Sequence, residues 1–349
     1  MIRVLIVDDS PVIRRLLREV LSKEPDLEVV GEARDGKEAV ELAQALRPDV
    51  ITLDIEMPVM DGLSALREIR RLVPRAKVIM FSTLTEKGAR ETLEALALGA
   101  FDFVTKPKGA SLLESLSRIR SELLPKIRAA VPTVRKPILP RRPAPPVAPR
   151  PLIRPGVYSV VGIGVSTGGP RALMELIPRL PATFPAPILL VQHMPPLFTA
   201  QLARSLDQRS ALRVKEARSG ETLAKGTVYI APGDYHMEVR GSGRAKVIHL
   251  HQGPPENGCR PAVDPLFRSL ADAYDGTAVG VVLTGMGQDG KKGAQRIKEK
   301  GGLIIAQDEK TSTVYGMPRA VVEAGLADLI LPLSEIPIKL QEIFLGKGK

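Results

Sequence analysis

The chain has 349 residues, enough for two domains of ordinary size rather than one core. With 44% hydrophobic and 26% charged residues it reads as a soluble globular protein, which excludes wholesale disorder. Aromatics at 3% with no Trp leave no stacking platform for single-stranded nucleic acid, and a single cysteine, Cys259, excludes an internal disulfide framework and a multi-cysteine zinc site. The net charge of +11 is unevenly placed: residues 1–119 carry 18 Lys/Arg against 20 Asp/Glu, residues 120–156 carry 9 against 1, and residues 157–349 carry 23 against 18. Basicity therefore concentrates in one short segment between two halves, whereas a nucleic-acid footprint is more usually a patch on a folded face. No apolar run approaches the roughly 20 residues of a membrane span, and Met1-Ile2-Arg3 opens into a strand-like run rather than a signal peptide, so a cytoplasmic protein is expected.

From the N-terminus, strand-like runs fall at Val4–Val7, Glu28–Gly31, Val50–Leu53, Val78–Phe81 and Phe101–Val104. Helix-period segments separate them near Val12–Leu21, Lys37–Leu46, Leu63–Leu72, Glu86–Ala97 and Leu112–Leu124. Such alternation predicts a five-stranded parallel sheet covered by helices, with functional groups at the carboxyl ends of the strands. Acids fall there: Asp8 and Asp9 end the first strand and Asp54 the third, while Ser82 and Thr83 end the fourth and Lys106 the fifth. Three convergent carboxylates repel unless a hard cation lies between them, which suits Mg²⁺. Lys106 would then offer a fixed positive charge to an incoming phosphoryl group, and Ser82 a hydroxyl.

Through VLIVDDS, VITLDIEMPVMDG, VIMFST and FDFVTKP this half resembles a response-regulator receiver domain, with its flavodoxin-like fold, over residues 1–122. The resemblance implies that Asp54 accepts a phosphoryl group from a histidine kinase. It also implies that Asp8, Asp9, Asp54 and the Glu56 backbone carbonyl hold Mg²⁺, and that Ser82 and Phe103 register phosphorylation alongside Lys106.

Ten prolines lie between Pro125 and Pro155, interleaved with Arg135, Lys136, Arg141, Arg142, Arg150 and Arg154. Proline fixes φ and removes a donor, and like charges repel, so residues 123–156 are expected to form an extended Pro/Arg-rich linker. It serves either as a spacer or as a docking segment for an aromatic-lined groove or acidic partner.

The third segment, residues 157–349, opens with a strand at Tyr158–Ile163 that runs into Gly164-Val165-Ser166-Thr167-Gly168-Gly169-Pro170 and a helical pattern. A dinucleotide site fits poorly. The glycine spacing is one residue too long, and the next strand, Ile188–Val191, ends in Gln192-His193 rather than a ribose-binding acid. The pentapeptide also reads as G-x-S-x-G, a nucleophile on a strand-to-helix turn. His193 ends the strand after Ser166, and Asp289 follows the buried run Ala278–Leu283, ahead of a helix from Lys291. All three would gather on one sheet edge as nucleophile, base and orienter. Among the other histidines, His249 and His251 face one way on an expected hairpin but lack a clear third metal ligand, and His236 reads as structural.

With GIGVSTGGP, VQHMPPLFT, YIAPGDYHM, CRPAVDPLFRSL and LTGMGQDG, the whole chain resembles the chemotaxis response-regulator methylesterases, which hydrolyse glutamate methyl esters and deamidate particular glutamines. The resemblance implies a C-terminal doubly wound α/β methylesterase domain over residues 157–349. It assigns Ser166, His193 and Asp289 as a catalytic triad, and backbone N–H groups at Thr167 and Met286 as the oxyanion hole. No metal is expected at this second site. Methylated chemoreceptor cytoplasmic domains would be the substrate and a chemotaxis histidine kinase the phosphodonor, with neither nucleic acid nor membrane insertion. The unphosphorylated receiver is expected to cover the Ser166 edge. Rival readings, a non-catalytic effector or a DNA-binding regulator, leave three triad-type residues on one edge without a reason.

Overall fold

A strand that is apolar on both faces must be covered on both, which parallel pairing through helical crossovers achieves. The computed structural model, which describes residues 1–107, 111–131, 156–241 and 246–346, builds both halves this way. The chain divides into two units, Met1–Arg142 and Pro143–Lys349.

In the first unit β1 (Ile2–Val7), α1 (Pro11–Leu21), β2 (Leu27–Ala33), α2 (Gly36–Leu46), β3 (Val50–Asp54), α3 (Gly62–Leu72), β4 (Lys77–Ser82), α4 (Glu86–Ala97), β5 (Asp102–Thr105) and α5 (Leu112–Ala130) alternate. The strands are all parallel in the order β2-β1-β3-β4-β5. Connections leave β1 in opposite directions, so the β1/β3 junction is the switch point where a crevice opens. Helices start promptly because Ser10, Asp35, Asp61 and Thr85 accept first-turn N–H groups as N-caps.

One expectation is corrected here. The linker was to begin at residue 123, yet α5 continues through Pro125 to Ala130. An interior proline costs about 3 kcal/mol, but Leu123, Leu124, Ile127 and Ala130 are all buried, and each full burial of a large apolar side chain returns about 1.5–3 kcal/mol. Arg128 also ties the last turn to Glu24 and Asp26, at 2.7 Å each. The remainder of the expected linker, residues 132–155, lies outside the described residues.

The second unit runs β6 (Val160–Val165), α6 (Gly169–Leu176), β7 (Ile188–Gln192), α7 (Phe198–Asp207), β8 (Arg213–Glu216), β9 (Thr227–Ile230), β10 (His236–Arg240), β11 (Val247–His251), α8 (Val263–Tyr274), β12 (Ala278–Val282), α9 (Lys291–Glu299), β13 (Leu303–Gln307), α10 (Met317–Glu323), β14 (Leu329–Leu331) and α11 (Ile336–Leu345). Seven strands form a parallel sheet ordered β14-β13-β12-β6-β7-β9-β8, and β10 and β11 make a separate antiparallel hairpin. Chain direction reverses on either side of β6, so the β6/β12 junction is the second switch point. Helix α8 lies close over β6: a Cβ at Gly162 would come within 2.6 Å of Leu270, and one at Gly164 within 2.4 Å of Val263. Among the described residues no helix is long and apolar enough to cross a membrane.

Candidate functional site

At the first switch point the carboxylates of Asp8 and Asp54 are buried, and Lys106 bridges them with its ammonium 2.8 Å from an oxygen of each. The other oxygens are held by backbone: Asp54 Oδ1 accepts from the Ile55 N–H at 2.7 Å and Asp8 Oδ1 from the Ser10 N–H at 3.0 Å. Desolvation pushes Asp54 up to about 6, and the Asp8 charge adds to this against the opposing pull of Lys106. Burial likewise raises Asp8. Burial alone would lower Lys106, but the two carboxylates hold it above its ordinary range.

One carboxylate oxygen each from Asp8, Asp9 and Asp54 lies within 4.8 Å of the others, and the buried Asp8 Oδ2 takes no aligned hydrogen bond. Three converging carboxylates, all hard oxygen donors, fit a divalent cation such as Mg²⁺. Glu56 reaches Lys87 with its side chain at 2.6 Å. Ser82 is buried with its hydroxyl donating to the Gly88 carbonyl at 3.2 Å, and the buried Phe103 ring lies under the Lys126 ammonium, 5.2 Å from its centroid.

At the second switch point Ser166 sits one residue past β6, between two neighbours. On one side Val165 pairs with Gln192, and the His193 N–H donates to the Val165 carbonyl at 3.2 Å. On the other, the Ser166 N–H donates to the Thr284 carbonyl at 3.0 Å. Strand register thus brings Ser166 and His193 onto adjacent strand ends, about 4.8 Å apart in the pairing direction. His193 Nε2 lies 2.8 Å from Asp289 Oδ2, and since a carboxylate only accepts, Nε2 carries the hydrogen. The side chains are 11% and 2% exposed, so the pair is shielded from solvent.

Burial disfavours the imidazolium, but the bond to Asp289 and the proximity of Cys259 override it and hold His193 above the ordinary imidazole range. Desolvation would raise Asp289, yet His193 and the backbone donors hold it below the usual carboxylate range. Those donors are the N–H groups of Val263 (2.6 Å), Asp264 (3.1 Å) and Gly290 (2.9 Å).

Thr167 and Met286 flank the serine from two loops. The Thr167 carbonyl accepts from the Thr284 hydroxyl at 2.9 Å, and Met286 follows Gly285, where a Cβ would lie 2.8 Å from Ser166 Cβ. Among the described residues the Ser166 hydroxyl makes no hydrogen bond, which leaves it available to a substrate. His249 and His251 do share the β10–β11 hairpin, their rings stacked at 5.6 Å, while His236 lies opposite His251 in register. His236 is fully bonded, with Nε2 to the Pro254 carbonyl at 3.0 Å and Nδ1 accepting from the Ala262 N–H at 3.2 Å, in keeping with a structural role.

Three contributors escaped sequence reasoning. Gln192, buried, donates to the Ser166 carbonyl at 3.1 Å and so fixes the turn behind the serine. Asn257 donates to Asp289 Oδ1 at 2.9 Å. Cys259 places its sulfur 3.6 Å from His193 Nδ1. The Asn257-Gly258 pair, a hairpin-turn signature, was the one signal that could have placed the last two.

A family model described as CheB methylesterase matches residues 161–340, and one described as response regulator receiver domain matches residues 4–117. A protein of Pyrococcus abyssi (strain GE5 / Orsay) named protein-glutamate methylesterase/protein-glutamine glutaminase is 46% identical over 353 residues, covering 99% of this chain and 95% of its own length. A protein of the same name from Thermotoga maritima is 48% identical over 343 residues, 98% of each chain. Among solved structures, the crystal structure of the Thermotoga maritima CheB methylesterase catalytic domain shares 49% identity with a TM-score of 0.52, covering 53% of this chain and 98% of that one. With a matched model over more than half its length and relatives near half identical end to end, the chain belongs to the CheB methylesterase family and carries a response regulator receiver domain ahead of the esterase domain.

Proposed function

We infer that the chain is a phosphorylation-activated protein-glutamate methylesterase and protein-glutamine glutaminase acting in chemotaxis, with Ser166 as nucleophile, His193 as base and Asp289 as orienter. The observation that carries this reading is the shielded His193–Asp289 pair beside Ser166 at the switch point of the sheet. Ser166 Oγ attacks the γ-ester carbonyl and passes its proton to His193. With Nε2 committed to Asp289, the accepting atom is Nδ1. Backbone N–H groups at Thr167 and Met286 meet the tetrahedral oxyanion, each such donor contributing about 3 kcal/mol in comparable sites. Methanol departs with the proton from His193, and water then cleaves the acyl-serine by the same route. A glutamine side chain loses ammonia instead, a poorer leaving group, so deamidation is slower.

In the receiver unit Asp54 takes a phosphoryl group from a histidine kinase, with Lys106 beside the incoming charge. Asp8, Asp9, Asp54 and the Glu56 carbonyl would hold Mg²⁺, which neutralises phosphoryl charge when bound. Ser82 and Phe103 register the modified aspartate, and the gain in esterase output is a shift between two populations, for which a few kcal/mol suffices. The substrates are methylated cytoplasmic helices of chemoreceptors, and the protein works in the cytoplasm. Residues 1–130 act as the receiver and 157–349 as the esterase. Ser166→Ala, with melting unchanged, abolishes methanol release from a methylated receptor fragment; appreciable residual turnover overturns the triad.

A further inference from the structure

One four-residue turn, Glu256–Cys259, touches both ends of the His193–Asp289 pair. The backbones of Glu256 and Cys259 exchange hydrogen bonds at 3.1 and 2.9 Å, and Asn257 (φ 52) and Gly258 (φ 75) both adopt left-handed conformations. This is the two-residue hairpin turn that Asn-Gly suits best. From its tip the Asn257 amide donates to Asp289 Oδ1 at 2.9 Å and to Asp264 Oδ2 at 3.0 Å. Two residues on, Cys259 Sγ lies 3.6 Å from Nδ1 of His193, the ring atom left after Asp289 takes Nε2.

The turn is held firmly from below. The Arg268 guanidinium forks onto the Glu256 carboxylate at 2.6 and 2.9 Å. His236 spans its base through the Pro254 carbonyl and the Ala262 N–H, and Arg260 joins Asp234 at 2.6 Å to the Gly253 carbonyl at 2.9 Å. None of these bonds touches the reacting groups, so the anchorage serves placement of the tip.

We propose that the Glu256–Cys259 turn is the positioning device of the base: Asn257 fixes the Asp289 carboxylate, and Cys259 occupies His193 Nδ1 until Ser166 needs it. This rests on the reading of His193 as the base. Nδ1 must take the serine proton, and the sulfur stands at that atom, so the turn defines a resting orientation from which the ring is released. Of the titratable groups around the ring, Asp289 and Cys259 face it directly. Asp264 shares the Asn257 amide and Glu256 is neutralised by Arg268.

The test uses the full-length chain with Asn257→Ala, Cys259→Ala and Cys259→Ser. Three readings are taken on each: the pH profile of kcat/KM for methanol release, the low-field His193 N–H proton resonance without substrate, and the melting temperature. Asn257→Ala is expected to broaden the resonance and lower kcat on the order of ten- to a hundredfold, the scale of a small misplacement. Cys259→Ala is expected to shift the kcat/KM midpoint by at least about half a pH unit, because the partner that stands at Nδ1 is gone. Cys259→Ser, which keeps a polar partner, moves it less. Wild-type midpoints and resonances in all three variants, or activity losses that merely follow melting temperature, overturn the proposal. Because the resonance is read without substrate, it still judges the turn if the wild-type chain releases no methanol, a result that refutes the esterase reading instead.

Discussion

Replacing Asp289 by Asn probes the shielded pair most sharply, because the carboxylate accepts from five donors. Oδ2 takes the Val263 N–H and His193 Nε2–H, and Oδ1 takes the Asp264 and Gly290 N–H groups and the Asn257 amide. An amide keeps one acceptor oxygen. Placed at Oδ1 it satisfies three donors and turns its NH₂ group on the other two; flipped, it strands three. Each buried donor left unsatisfied costs about 1–3 kcal/mol, so the better orientation costs about 2–6 kcal/mol. His193 relieves one clash by moving its proton from Nε2 to Nδ1, and Nδ1 then cannot accept from Ser166. The expected outcome is a kcat lower by on the order of 10⁴, the loss seen when an orienting Asp becomes Asn in a comparable triad. With that clash relieved only the Val263 N–H stays stranded, so stability falls by at least about 1 kcal/mol, which for a unit of this size lowers the melting temperature by about 2 °C or more. Methanol-release kinetics and calorimetry on the purified variant read both. A variant within tenfold of wild-type kcat refutes the assignment of Nε2 to Asp289 and of Nδ1 to the serine proton.

Other outcomes follow from the same geometry. Gly285→Ala puts a Cβ 2.4 Å from Met317 Sδ and 2.8 Å from Ser166 Cβ. Overpacking of this kind costs about 1–3 kcal/mol, and because Ser166 is displaced, kcat falls on the order of tenfold or more; unchanged kcat denies the close approach. Asp54 binds its proton more tightly folded than unfolded, so its contribution favours folding at low pH and is lost as pH rises from 3.8 towards about 6. The shift corresponds to about 3 kcal/mol, so Asp54→Asn is expected to stabilise the receiver unit at pH 7 and not at pH 3; equal effects at both contradict it. His193 is held above the ordinary imidazole range, so its ion pair stabilises the fold below pH 6.5 and that gain is lost as pH climbs through the raised value. As the neutral ring is the base, kcat/KM rises with pH through a midpoint above 6.5, and a midpoint below that denies the pairing.

The sheet edges were legible because strand ends are marked by composition: apolar runs stop at Asp8, Asp54, Ser166 and His193, and parallel topology carries all such ends to one side. Asp289 was legible as the acid after the Ala278–Leu283 run. The continuation of α5 was not, since Pro125 is a strong local stop signal overridden by tertiary burial of Leu123, Leu124 and Ile127. The strands β8, β9, β13 and β14 went unread: β8 and β14 are only half-buried and lack a continuous apolar signature, whereas β9 and β13 are buried runs no shorter than β5 and β12 and were there to be read. Asn257 and Cys259 escaped because Asn257-Gly258 marks only a turn; which residues it meets, 32 and 66 positions away, depends on how the turn is anchored.

The most direct test is methanol release from a methylated receptor cytoplasmic fragment by the full chain, with and without a small-molecule phosphodonor and Mg²⁺. Release is expected in both conditions, raised by the phosphodonor, with Asp54→Ala losing only the increment and Ser166→Ala losing all of it. No release in either condition, with Asp54 shown to be phosphorylated, would contradict the esterase reading and leave a receiver attached to an effector of different chemistry.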